Sequence, residues 1–395
     1  MNILLSGGWG YGNLGDDALL IDSIDLIRKY CENSHITVLT YDVFAAKSML
    51  SKYHNIEFVP SLHLYIYGTE YFAHTKNDTH FISKLFNKIV GKIHDKRVER
   101  SEIREIEELI KHDNLEDTKF SFVQNYFAKF CQNQDIYIMS GGGYINNWHH
   151  SIVSKFLEIK IAKEKGLKTY VIGQTFGPFM PNVKPLAKKI ILHSDCCFFR
   201  DSFSISDFPD VTNIYPKAIP DIALSKSFDV AERKKRIVLI PFTRQFWKSR
   251  KNILEIFSSC QQYEVVLSVS QLWKSQISLA IDLYMYLKSN SVRCSLHIPK
   301  DVTDLQQLLS ESSCVLSENL HGLILAYRSH TPIICLNNKR KFITFMEKIE
   351  CSNRMIPIID LREDRFSEFL NNKMSFDSHN NIISELNDAL NVVFS

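Results

Sequence analysis

The sequence predicts an α/β protein built from two doubly wound Rossmann-like domains facing a cleft. Three observations predict it. Short apolar runs alternate with helix-period stretches along almost all of the 395-residue chain, the pattern of parallel strands joined by crossover helices. The alternation falls into two series, separated by the polar and charged stretch Leu224–Lys235. Glycine-rich corners follow several of the runs, where ligands of such folds gather.

In the first series Ile3–Ser6, Ile36–Thr40, Ile136–Met139, Thr169–Ile172 and Cys196–Phe199 read as buried strands, with amphipathic helices at about 17–30, 149–165 and 181–193. In the second, Ile237–Ile240, Glu264–Val269, Ser295–Ile298, Cys314–Leu316 and Ile333–Leu336 are strands, with helices at about 275–289, 302–310 and 321–328. The expected division is residues 1–228, 229–378, and a terminal helix at 379–395 returning to the first domain. A helical insertion at about 81–131 interrupts the first series. There Ile82, Leu85, Phe86, Ile89, Val90 and Ile93 form an apolar stripe beside Lys84, Lys88 and Lys92. Such a helix over Phe81–His112 suits docking on its own domain with a solvated Lys face, or an anionic membrane surface.

Composition excludes several classes. With 45% hydrophobic and 23% charged residues the chain is not a disordered one. A net charge of +3 without a long basic tract argues against nucleic acid. The nine cysteines show no zinc-type Cys/His spacing, so no metal is expected, and free thiols suit a reducing compartment. The opening apolar run lacks a basic flank, and no run approaches the roughly 18 residues of a membrane span. The expectation is a cytoplasmic protein, peripheral to a membrane at most through the 81–112 helix.

Gly10-Tyr-Gly12-Asn13-Leu-Gly15 satisfies G-x-G-x-x-G, and Asp42 closes the next strand as a ribose-binding carboxylate would. The pattern fails on electrostatics. Asp16 and Asp17 occupy the first turn of the following helix, where a pyrophosphate would need the free amides and the positive dipole end. At an effective dielectric of about 20, like charges about 4 Å apart repel by roughly 4 kcal/mol. Carboxylates beside amide donors suit hydroxylic ligands such as sugars, or else simply cap the helix. Ser140-Gly141-Gly142-Gly143, Gly173-Gln174 and Arg200-Asp201 end three further strands and extend this wall. His149 and His150 adjoin Trp148 with no chemistry assigned.

The second half places Arg244 after Ile237–Ile240 and His321 at the start of a helix after Ser317-Glu318-Asn319. A guanidinium there suits an oxyanion, and a histidine at a helix start has access to acid–base chemistry near neutral pH. Lys341 adds positive potential.

Taken together these corners resemble the polysaccharide pyruvyl transferase family. The matching pieces are G-Y-G-N-L-G-D-D at 10–17, S-G-G-G at 140–143, G-Q-T-F-G-P at 173–178, R-D-S-F-S at 200–204, P-D-I-A-L at 220–224 and S-E-N-L-H-G-L-I-L-A at 317–326. The resemblance implies a glycosyltransferase-B-like architecture. It implies transfer of the enolpyruvyl unit of phosphoenolpyruvate to two hydroxyls of a sugar, giving a pyruvate ketal for surface-glycan synthesis. His321 matches the family's functional histidine and Arg244 an arginine that helps hold phosphoenolpyruvate, whereas Asn319 stands where many members carry arginine. Catalytic roles are thus expected at His321, Asp16 and Asp17, and donor contacts at Arg244, Asn319, Gly322 and Lys341. Acceptor contacts, to a sugar or lipid-linked oligosaccharide, are expected at Gly12, Asn13, Gly15, Gly141, Gly142, Gly143, Gln174 and Arg200. No cofactor beyond the donor substrate is implied. Three other readings stay open: a nucleotide-sugar glycosyltransferase using Glu318 on a ribose, a non-catalytic glycan-binding relative, and an NAD-dependent dehydrogenase.

Overall fold

The computed structural model describes residues 1–68, 100–228 and 231–394. Six parallel strands form the first sheet: β1 (Asn2–Ser6), β2 (His35–Thr40), β3 (Ile56–Pro60), β4 (Ile136–Ile145), β5 (Lys168–Phe176) and β6 (Cys196–Phe199), in the order β3-β2-β1-β4-β5-β6. Five more form the second: β7 (Lys234–Ile240), β8 (Glu264–Ser268), β9 (Cys294–His297), β10 (Ser312–Ser317) and β11 (Ile333–Cys335), in the order β11-β10-β7-β8-β9. In each, strand order reverses beside the first strand, between β1 and β4 and between β7 and β10. Ligand crevices of doubly wound sheets open at the carboxyl ends of such strands. The predicted two-domain Rossmann-like fold is the one observed.

Two differences from the sequence reading bear on the site. The triple glycine does not follow a strand. It lies within β4, which continues to pair with β5 through Gly142 and Gln174 and then, after a register shift, through Ile145 and Phe176. β3 was not anticipated: Glu57 and Pro60 break its apolar pattern, and proline is tolerated because β3 is an edge strand.

The helix Leu14–Tyr30 joins the halves. Asn13 caps it by accepting from the Gly15 amide, Asp16 and Asp17 stand in its first turn, and Arg28 and Lys29 in its last, as the dipole favours. It is buried on both sides, against the first sheet and against the helices Val302–Ser310 and Leu320–Tyr327. Leu19, Ile24, Leu305, Leu323 and Ile324 accordingly belong to one apolar core. Arg328 crosses the seam to Asp22 at 2.5 Å, with both side chains buried. The closing helix Ser378–Phe394 covers the same element: Phe394 stacks on Tyr30, and Leu386 and Leu390 join Leu26 and Ile27.

The Lys84–Ile93 stripe lies outside the described residues. The helical residues 100–111 and the helix Ser121–Cys131 dock on the first domain through Ile106, Leu109, Val123 and Phe127. Among the described residues no helix is long and apolar enough to cross a membrane.

Candidate active site

The loop after β1 is spoken for by protein. Gly10 and Gly12 have φ of +82° and +83°, a conformation costly for other residues. A side chain at Gly10 would meet Thr40 Oγ1 at 2.5 Å. Leu272 N donates to Gly12 O (2.7 Å), Leu14 N to Ser270 O (3.0 Å), and Trp273 Nε1 to Tyr11 O (3.1 Å). The loop that resembles a dinucleotide cradle is therefore stitched to the segment after β8. Its amides are occupied too: Gly10 N donates to Asp17 Oδ1 at 2.9 Å. Asp16 Oδ2 accepts from Tyr11 Oη at 2.5 Å and from Asn13 Nδ2 at 2.6 Å.

The two carboxylates that begin this helix are buried. Burial raises Asp16 to about 7, with Asp17 adding to the shift and the Tyr11 hydrogen bond, Arg200 and Lys341 opposing it. Burial likewise raises Asp17 to about 6 against the Gly10 amide. Asp16 thus exchanges a proton near neutrality, the condition for general acid–base work.

His321 meets this helix from the other domain. Asn319 caps the helix Leu320–Tyr327, its Oδ1 accepting from His321 N (3.0 Å) and Gly322 N (3.3 Å). Gly322 lets the helix sit on β7, since a Cβ there would meet Ile240 and Ser317 Oγ at 2.8 Å. The imidazole then occupies the space left by the missing side chain of Gly15: a Cβ on Gly15 would fall 1.9 Å from His321 Nδ1. His321 Nε2 is buried and has no hydrogen-bond partner among the described residues. Desolvation lowers the ring to about 4, with Arg200, Lys341 and Arg328 lowering it further and Asp221 opposing.

A cavity of about 290 Å³ lies beside these groups, lined among others by Thr175, Arg200, Asp221, Leu320, Ile324 and Lys341. Arg200, at the end of β6, donates through Nε to Thr175 Oγ1 (2.8 Å) and through Nη1 to Asp221 Oδ2 (2.5 Å). Lys341, at the start of the helix Arg340–Lys348, is open to water but walled by protein, and it pairs with no carboxylate among the described residues. Desolvation and then Arg200 push its ammonium down to about 8, while Asp16 and Asp221 hold it up. Arg200 of the first domain and Lys341 of the second therefore share one cavity. Asp221 and Thr175 were not singled out from sequence. Asp221 sits in the quoted P-D-I-A-L piece, but nothing in linear spacing ties it to Arg200.

The other expected residues fall into two groups. Gly141, Gly142 and Gln174 are buried: Gly141 lies under Leu19, Gly142 under the Tyr144 ring, and Gln174 Nε2 donates to the Gly141 carbonyl. Gly143 is partly exposed, 3.4 Å from Arg200 Nη2 at its would-be Cβ. At the carboxyl end of β7, Glu318 accepts from Thr243 N (2.7 Å) and Thr243 Oγ1 (3.0 Å), which ties the β7 and β10 loops together. Arg244 follows, exposed and without an ion pair among the described residues.

Two Rossmann-like domains with a charged cleft define a glycosyltransferase-B-like protein, and solved structures of that architecture match end to end. The UDP-GlcNAc 2-epimerase of Neisseria meningitidis, bound to UDP-GlcNAc, superposes with a TM-score of 0.60 at 11% identity, covering 100% of this chain and 99% of that one. The UDP-GlcNAc 2-epimerase of Methanocaldococcus jannaschii gives the same figures. The spinosyn rhamnosyltransferase SpnG, complexed with thymidine diphosphate, gives 0.50 at 10% identity, with 100% and 99% covered. At such identities the likeness is one of fold. No curated protein matches the sequence. The chain belongs to the polysaccharide pyruvyl transferase family, whose profile matches residues 13–340.

Proposed function

We propose that this protein transfers the enolpyruvyl group of phosphoenolpyruvate to two hydroxyls of one sugar, closing a pyruvate ketal during surface-glycan synthesis. The observation that carries the reading is the Arg200–Lys341 cavity at the seam where His321 packs on the Asp16 helix. Phosphoenolpyruvate bears a carboxylate and a phosphate. Arg200 is half-neutralised by Asp221, so Lys341 supplies the uncompensated charge; Arg244, exposed at the end of β7, is not among the described residues that line this cavity. Asn319 is committed to its cap, and the cavity cations take the part an arginine there would play.

Electrostatics then order the steps. In the empty cleft His321 is neutral, because desolvation and three cations disfavour its charged form. A multiply charged anion beside the ring reverses that balance, so the imidazolium forms with the donor in place. Its proton passes to the methylene carbon, which becomes methyl, and C2 becomes electrophilic. One acceptor hydroxyl attacks C2 while Asp16 takes its proton. The C2–O bond to phosphate breaks, phosphate leaving with its charge held by Arg200 and Lys341. The second hydroxyl attacks C2, loses its proton, and the ketal ring is closed. The products are ketal and inorganic phosphate.

A nucleotide-sugar donor finds its expected ribose partner, Glu318, already bonded to Thr243. The G-x-G-x-x-G amides expected of an NAD site are held by Asp17 and the opposite domain. Incubation with phosphoenolpyruvate or nucleotide sugars over a panel of glycoside diols tests the proposal. Acceptor-dependent phosphate release, abolished in His321→Ala, is expected. Release of a nucleoside diphosphate, or none of phosphate with any acceptor, refutes it.

A further inference from the structure

A second polar cluster lies on the first domain, away from the cavity. His149 and His150 open the helix Ser151 continues, just beyond the carboxyl end of β4, and Glu102 reaches them from the helical residues 100–111. One ligand atom from each of Glu102, His149 and His150 lies within 4.8 Å of the others. His149 Nδ1 is 3.9 Å from Glu102 Oε1, and His150 Nε2 is 3.7 Å from the same oxygen.

We propose that Glu102, His149 and His150 bind one divalent transition-metal ion of the zinc class. Three features carry this. Imidazole nitrogen and carboxylate oxygen are the donor set that such ions accept, and three protein ligands leave a fourth position for water. A tetrahedral ion with bonds of about 2.0–2.1 Å holds its ligand atoms about 3.3 Å apart, so the site closes when Glu102 draws in by about half an ångström and the two imidazole nitrogens, within 4.8 Å of each other, turn toward it by up to about 1.5 Å. His149 is 6% exposed, and its Nδ1 has no hydrogen-bond partner among the described residues. Its other nitrogen faces Glu105, whose Oε2 lies 3.1 Å from Nε2. A carboxylate behind a histidine fixes the ring so that its free nitrogen points to the metal. Lys119 holds Glu105 in turn. The ion would pin the inserted helix to the end of β4, a role separate from the transfer reaction.

The test uses the full-length chain, freed of metal by chelation and titrated with Co²⁺ and Zn²⁺. One equivalent per chain is expected, with the visible absorption of low-coordinate Co²⁺ and a rise in Tm on adding Zn²⁺. Glu102→Gln and His149→Asn should abolish the stoichiometric site. Glu105→Gln, which keeps all three ligands, should weaken affinity by about 10–100-fold. Failure of the wild-type chain to bind either ion at micromolar concentration overturns the proposal, leaving a metal-free His–Glu ion cluster. So does binding that all three variants retain unchanged. If the ligand variants fail to fold, the wild-type Co²⁺ spectrum and the Glu105→Gln affinity still decide.

Discussion

Alanine at Gly15 would put a methyl carbon 1.9 Å from His321 Nδ1. Ordinary contact begins near 3.4 Å, and His321 Cβ itself would lie only 2.3 Å away, so a new ring rotamer cannot relieve the clash and the two helices must part by about 1 Å. Overpacking of this kind costs about 1–3 kcal/mol. A reacting group misplaced by about 1 Å loses about a hundredfold in rate. The backbone of Gly15 is not strained, and alanine is the better helix former by about 1 kcal/mol. The collision with His321 is therefore the whole expected penalty. Urea unfolding of a double-mutant cycle measures it. Gly15→Ala should destabilise the wild-type background by about 1–3 kcal/mol yet be neutral or stabilising in His321→Gly, which also removes the Cβ that would lie 2.3 Å away. Phosphate release should fall about a hundredfold or more in the single variant. Equal destabilisation in both backgrounds would show that the imidazole does not sit on Gly15, and the assembly of the site would be wrong.

The raised carboxyl of Asp16, about 7 in the folded chain against its ordinary 3.8, makes the native state lose stability as pH rises through that interval. Asp16→Asn should therefore gain stability over wild type, on the order of a few kcal/mol at pH 8 and little at pH 4, while losing turnover; denaturation at both pH values reads it. Nuclear magnetic resonance of His321 should show a neutral ring down to about pH 5 in the free protein and an upward shift on adding phosphoenolpyruvate. An unmoved titration would place the donor elsewhere. Lys341→Ala should weaken phosphoenolpyruvate binding roughly tenfold or more by calorimetry, and wild-type affinity should fall above pH 8 as that ammonium loses its proton. Arg328→Ala should cost about 3–5 kcal/mol, because it leaves Asp22 buried with a weakened partner set.

Much of this was legible in the sequence. Uninterrupted apolar runs such as Ile237–Ile240 and Cys196–Phe199 are strands because both faces are covered, and the periodic stretches between them are the helices observed. Illegibility begins where partners are remote. Three consecutive glycines read as a loop, yet pairing to β5 keeps them in β4. Asp221 becomes informative only when the chain returns it to Arg200, and Glu102 only when an inserted helix carries it to His149. The placement of Asp16 and Asp17 in the first turn of the following helix was legible. It did not show that their buried positions hold one of them near neutrality, since that depends on the second domain closing over the turn.

The burial of the helix Leu14–Tyr30 has a consequence for biogenesis. It is translated well ahead of the surfaces that shield it, Leu320–Tyr327 and Ser378–Phe394. Until those segments emerge the nascent chain carries a partly uncovered apolar rod, a natural client for holdase chaperones. Truncation near residue 378 should therefore leave an aggregation-prone remnant.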